Sequence, residues 1–153
     1  MAKKKRQQGV ENRVARVKYQ VLDTVEAGIE LTGPEVKSLR EGRGGLRDAF
    51  VKIQNGEAFA INIQIPPYQF ADQRDYDPGR ARRLLLHKDQ VETLTRRTVT
   101  KGVTLVPLRI YLKNNFFKVS VGVVRGKKQY ERREELKKRV IEREVQRELK
   151  NLG

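Results

Sequence analysis

The chain has no cysteine and no tryptophan, a single methionine and a single histidine. Without cysteine there can be no disulfide, thiolate metal site, iron–sulfur cluster or cysteine nucleophile. One histidine, His87, excludes a multi-histidine metal site. Acid is scarce beside base: 19 Asp and Glu face 34 Lys and Arg, a net charge of +15. Long apolar runs are missing too. Nothing approaches the roughly 18 residues of a membrane span, and the amino terminus lacks the charged-then-apolar order of a signal peptide. Only 37% of the 153 residues are hydrophobic, which fits one compact domain with residues left over for tails. These absences lead to the expectation of a cytoplasmic protein whose charge meets a polyanion, with nucleic acid ahead of an anionic membrane surface.

The charge is uneven. Residues 1–18 carry seven basic residues and one acid, and residues 125–153 carry eleven basic and six acidic residues. The middle, 19–124, has a net charge of only +4. All five Phe and four of the five Tyr fall between Tyr19 and Phe117. A globular middle with a basic arm at each end follows. The run Lys3-Lys4-Lys5-Arg6 has no apolar period and is expected to be disordered when free, as a solubilising tail or a phosphate-binding arm.

Within the middle, Val17, Tyr19 and Val21 alternate as on a half-buried strand over 16–22, and a second strand is expected from Val25 to Leu31, with Gly28 marking a bulge or a close backbone approach. Gly33-Pro34-Glu35 opens a short helix, with Val36 and Leu39 toward the core and Gly42 able to end it. A strand over 46–53, anchored by Phe50 and Ile53, meets Asn55-Gly56, a type I′ turn signal. Its partner alternates Phe59, Ile61, Ile63 and Ile65 until Pro66-Pro67 stops it. Residues 66–80 read as a loop, in which Asp72, Asp75 and Asp77 are turn formers before they are cation ligands. After Leu84-Leu85-Leu86 a helix is expected over about Lys88 to Thr98, then a hairpin of Thr104–Leu112 and Phe116–Val124 around Asn114-Asn115. About six strands and two short helices favour a small antiparallel barrel or sandwich.

Beyond Val124 the composition changes. Glu134 and Glu135 precede Lys138 and Arg139 by four residues, and Ile141, Val145, Leu149 and Leu152 make a thin stripe at helical spacing. Such a tail is expected to be disordered alone and helical against a partner. Enzyme chemistry finds no support: there is no phosphate loop, no nucleophile elbow, and His87 stands alone.

The blocks Glu26-Ala-Gly-Ile-Glu-Leu-Thr-Gly-Pro-Glu-Val-Lys-Ser-Leu-Arg40, Arg83-Leu-Leu-Leu-His87, Lys101-Gly-Val-Thr-Leu-Val-Pro-Leu108 and Gly122-Val-Val-Arg-Gly-Lys-Lys128 resemble, in order and spacing, those of the SsrA-binding protein family, also called small protein B. The resemblance implies a mainly β fold with short helices: a small antiparallel β-barrel of the oligonucleotide-binding type over 12–125, a basic disordered arm over 1–11, and a flexible basic C-terminal tail over 126–153. It implies a monomeric, bacterial binding factor with no cofactor, no metal and no enzymatic activity. The implied partners are the tRNA-like domain of transfer-messenger RNA, the ribosome, and elongation factor Tu in the delivery complex. The tail would probe the empty message channel beyond the small-subunit decoding centre during trans-translation.

By position, the resemblance implies RNA-binding roles for Glu26, Lys37, Arg40, Leu85, Leu86 and His87, and it matches Lys127 and Lys128 to the basic pair at the barrel's exit. Tyr130 matches an aromatic or histidine position resembling a base-stacking residue, and Glu131, Arg132, Arg133, Lys137, Lys138 and Arg139 fall in the ribosome-contacting tail. Glu131-Arg132-Arg133 stands where many members have Asp-Lys-Arg. Side-chain chemistry allows plainer readings beside these. Glu26 can accept from a base amino group or a 2′-hydroxyl, or it can form a surface ion pair. Leu85 and Leu86 are by default core residues. Tyr130, without apolar neighbours in sequence, favours stacking on a base. A ribosomal or general single-stranded RNA-binding protein is the alternative reading.

Overall fold

The computed structural model describes residues 9–127, together with Arg143. Among residues 9–127, seven strands and three helices follow in the order β1 (Gly9–Glu11), α1 (Arg13–Lys18), β2 (Tyr19–Ile29), α2 (Gly33–Arg40), β3 (Phe50–Gln54), β4 (Glu57–Ile61), β5 (Arg82–Leu85), α3 (Lys88–Thr98), β6 (Val103–Lys113) and β7 (Phe116–Gly126). The strands form one antiparallel sheet in the order β1-β6-β7-β2-β5-β4-β3. The architecture is mainly β with a few short helices, as expected.

Two local signals act as their chemistry dictates. Asn55-Gly56 turns β3 into β4 with φ of 52° and 74°, and Asn114-Asn115 turns β6 into β7 with φ of 50° and 67°. Both turns place two successive residues at positive φ, which matches the twist of the strands they join. Helix α2 starts with a capping box. Thr32 Oγ1 accepts from the Glu35 amide at 3.3 Å, and Glu35 Oε1 accepts from the Thr32 amide at 2.9 Å. Helix α3 runs over the expected residues and buries Val91 and Leu94.

Several expectations change. Residues 16–18 are not strand but the end of α1. Asn12 caps that helix by accepting from the Ala15 amide at 3.0 Å, and its own amide donates to the carbonyls of Pro107 at 2.9 Å and Leu46 at 3.2 Å. Ala15 then packs on Val106, Leu108 and Val124, so tertiary contacts override the apparent alternation. Gly9–Glu11, placed by sequence in the basic arm, pair with Arg109–Tyr111 of β6. Finally, β2 is one continuous strand. Its register shifts between Val21 and Asp23, whereas Gly28 is paired on both sides, to Leu85 and to Lys118.

The inner face of the sheet carries the core: Ala27 and Ile29 of β2, Val51 of β3, Ala58 and Ala60 of β4, Leu84 of β5, Leu105 and Ile110 of β6, and Val119, Val121 and Val123 of β7, joined by Leu39 and Leu94 of α2 and α3. Val51, not Phe50, is the buried anchor of β3; Phe50 is exposed. Along β4 the expected alternation breaks at Asn62, whose φ is 63°. Before it Ala58 and Ala60 face inward and Phe59 and Ile61 are only half buried; after it Ile63 and Ile65 are fully buried. One left-handed residue thus moves the inward face from even to odd positions.

Loop 66–80 is riveted down through a buried ion cluster. Glu35 of α2 and Arg82 of β5 both have fully buried side chains. Arg82 Nε donates to Glu35 Oε2 at 2.8 Å, and its terminal nitrogens donate to the carbonyls of Ile63 at 2.7 Å and Pro78 at 2.9 Å. Arg80 donates to both Glu35 oxygens, and the Tyr76 hydroxyl donates to Ile65 O at 2.7 Å. Burial works against ionisation of Glu35, but the donors from Arg80, the Thr32 amide and Arg82 outweigh it and lower its pKa to about 2.

Candidate nucleic-acid interface

With one set of alternating residues committed to the core, the other set faces outward. On β2 this set holds Glu26 and Gly28, on β5 Leu85, on β6 Arg109, Tyr111 and Lys113, and on β7 Lys118 and Ser120. Register assembles them into rows. Leu85 lies opposite Gly28, Gly28 opposite Lys118, and Lys118 opposite Tyr111. One level along, Glu26 lies opposite Ser120 and Ser120 opposite Arg109. Gly28 leaves a flat floor in the first row, since a Cβ there would sit 3.1 Å from the Leu85 Cβ. Leu85 stands beside this floor 49% exposed, so it is available for contact and is not the core residue its type suggests.

Glu26 is held in place. The Tyr111 hydroxyl donates to Oε2, and Lys113 Nζ lies 3.2 Å from Oε1 and 3.3 Å from Oε2. The Tyr111 hydrogen bond is the main reason its carboxyl is held below the usual range; slight burial opposes this, and Lys113 and Lys118 add to the lowering. Burial first, then the bond to Glu26, pushes the Tyr111 phenol up to about 12, so it remains a neutral donor. The Arg109 guanidinium lies 4.4 Å from the centre of the Tyr111 ring, a cation–π contact that fixes the ring from the other side. The result is an ionised, oriented carboxylate that keeps acceptor capacity toward solvent. Arg109, Lys113 and Lys118 around it suit phosphates, and Gly28 with Leu85 offers an apolar step for a base or sugar. Glu26 is therefore a surface ion pair and a poised acceptor at once.

The remaining expected residues divide. Leu86 is half buried against the core. His87 is exposed as the residue capping α3, its amide donating to Gln90 Oε1 at 3.0 Å. Lys37 and Arg40 are exposed on α2, whose buried side carries Glu35, Ser38 and Leu39. Lys37 Nζ lies 5.3 Å over the ring of Tyr68, which meets exposed Phe70 edge-on at 5.4 Å. Lys127 donates its ammonium to Arg16 O at 3.2 Å and its amide to Lys18 O at 3.1 Å, tying the end of β7 to α1. Lys128, Tyr130, Glu131, Arg132, Arg133, Lys137, Lys138 and Arg139 lie outside the described residues, as does the expected disorder-to-helix change of the tail. In loop 66–80, Asp72 pairs with Arg74 and Asp77 accepts from the Gly79 amide at 2.9 Å, the work of turn formers.

Sequence reasoning missed Tyr111, Arg109, Lys113 and Lys118. A signal was present: 109, 111 and 113 share the polar parity of β6, and three charged or phenolic side chains on one face of a strand exceed what a solvated edge requires.

Comparison with known proteins identifies the family. The pattern of the SmpB protein family matches residues 9–151. An SsrA-binding protein of Lacticaseibacillus casei is 50% identical over 154 residues, covering 98% of each chain. One from Enterococcus faecalis is 49% identical over 141 residues, 92% of each chain, and one from Gloeothece citriformis is 50% identical over 141 residues, 92% of this chain and 91% of the other. A solved chain described as "tmRNA-SmpB: a journey to the center of the bacterial ribosome" superposes with a TM-score of 0.68 at 44% identity, covering 80% of this chain and 86% of that one.

Proposed function

The chain belongs to the SmpB protein family, and from that premise we propose that it binds transfer-messenger RNA and acts with it on the stalled ribosome in trans-translation. One observation carries the reading. The outer sheet face presents the Glu26 carboxylate, fixed by Tyr111 and Lys113 among Arg109, Lys118 and Leu85, in a chain whose relatives are SsrA-binding proteins over nearly their whole length. Recognition of a folded RNA rests on shape, 2′-hydroxyls and unstacked bases, and this face offers cations for phosphates and an acceptor for hydroxyl or amino donors.

On this reading the tRNA-like domain is the part of the RNA that meets Glu26, Gly28 and Leu85, while Lys37 and Arg40 on α2 and His87 at the start of α3 add contacts from neighbouring elements. The sheet belongs to a barrel of the oligonucleotide-binding type; the approach of β3 to β6, far apart in sheet order, supports closure. Residues 126–153 form a separate ribosome-contacting tail, in which Tyr130 stacks on a base and Arg132, Arg133, Lys137, Lys138 and Arg139 neutralise ribosomal RNA phosphates. The protein acts by binding and not by turnover, as a cytoplasmic monomer delivered together with elongation factor Tu.

A competition assay tests this. A structured tRNA-like fragment should displace a labelled copy of itself from the protein far better than an unstructured oligonucleotide of equal length; equal competition would favour a general single-stranded RNA-binding protein. Removing residues after Gly126 should weaken ribosome engagement while sparing the fragment, and equal loss of both would overturn the division into body and tail.

A further inference from the structure

We propose that Tyr111 is a positioning residue for RNA recognition, holding the Glu26 carboxylate in the one orientation that meets the RNA. The inference rests on the reading that the outer face binds RNA.

The geometry is unusual for an exposed glutamate. Glu26 is on β2 and Tyr111 on β6, with β7 between them. The phenol reaches diagonally across β7 to the carboxylate. Ser120, the β7 residue opposite both Glu26 and Arg109, is small enough to leave that path open. Arg109 stacks on the ring, and the facing strands contribute Lys113 and Lys118 as the other charged groups around the carboxylate. An unrestrained surface glutamate loses side-chain freedom on binding. Here Tyr111 and Lys113 of β6 have already fixed it, so the RNA meets a preorganised acceptor. Tyr111 itself need not touch the RNA.

The test is equilibrium binding of the full chain to a tRNA-like fragment of transfer-messenger RNA at fixed salt, with Tyr111→Phe, Glu26→Gln and the double variant. Tyr111→Phe keeps the ring and its stack with Arg109 and removes one hydroxyl, so thermal melting should be unchanged. Affinity should fall by about threefold to tenfold, the loss of one hydrogen bond's worth of order. The double variant should bind no worse than Glu26→Gln alone, because the hydroxyl acts only through that carboxylate. NMR titration of the Glu26 side-chain carboxyl supplies a readout that a merely structural role would not move: in Tyr111→Phe its midpoint should rise toward the ordinary value. If Glu26→Gln leaves affinity intact, the RNA-face reading itself fails. If Glu26→Gln weakens binding but Tyr111→Phe is silent, or its loss adds in full to that of Glu26→Gln, the positioning role is overturned and the RNA-face reading stands. An unmoved Glu26 midpoint would overturn it equally.

Discussion

Two glutamates in this chain have nearly the same partners and opposite surroundings. Glu35 accepts from a tyrosine, Tyr76, and from two arginines, and its side chain is fully buried. Glu26 accepts from a tyrosine, Tyr111, and a lysine, and its side chain is 40% exposed. At Glu35 the donors come from the Thr32 cap before α2, from loop 66–80 and from β5, so ionisation is tied to loop position and to folding. At Glu26 the donors occupy only part of the carboxylate, and the rest faces solvent with cations on either side. The same chemistry makes a rivet where water is excluded and an oriented, solvent-facing acceptor where it is not.

The largest expected effect separates the two. Glu35→Gln removes the carboxylate of a buried ion cluster and leaves the fully buried Arg82 guanidinium with neutral acceptors only. It should destabilise folding by about 3–5 kcal/mol, measured by urea or thermal denaturation. Little or no loss would place the cluster among surface pairs and dissolve the contrast. The pH dependence sharpens the same point. Because the folded pKa of Glu35 is lowered to about 2 from 4.5, its contribution is full above its unfolded value and should be lost as pH falls from about 4.5 toward 2. Denaturant midpoints across that window should drop for the wild-type chain and change much less for Glu35→Gln.

A smaller effect is expected one step out. Tyr76→Phe removes the single O–H that Ile65 O and, at longer range, Glu35 Oε2 share. A cost of about 1–3 kcal/mol is expected for leaving these groups short of a partner, with hydrogen exchange rising first in loop 66–80. The smallest effect lies on the outer face. Lys118→Ala should leave stability unchanged and lower the salt dependence of RNA binding by about one unit of log–log slope; an unchanged slope would remove Lys118 from the interface.

How much of this was legible beforehand depended on whether the determinant was local. Asn55-Gly56, Asn114-Asn115 and the limits of α3 follow from backbone preferences of adjacent residues, and they read correctly. Helix α1 did not, because Val17, Tyr19 and Val21 imitate a strand while the decisive contacts of Asn12 come from carbonyls 34 and 95 residues away. The change of face at Asn62 turns on one φ angle that composition does not reveal. The buried position of Glu35 was hidden for the same reason: a first-turn glutamate with a capping role is complete without Arg80 and Arg82, 45 and 47 residues on. At the candidate interface, family resemblance proposes Glu26 and Leu85, whereas the link of Tyr111 and Lys113 to Glu26 needed the strand register, which joins residues 85 and 87 positions apart.

On the proposed function, the exposed carboxylate, and not the buried one, meets the RNA. Its most direct test is the affinity of Glu26→Gln for the tRNA-like fragment at low salt, with its melting temperature measured in parallel. A loss of about tenfold or more at an unchanged melting temperature is the expected result, the cost of removing a charged hydrogen-bond acceptor. Unchanged affinity in a folded Glu26→Gln chain would mean that this carboxylate does not meet the RNA.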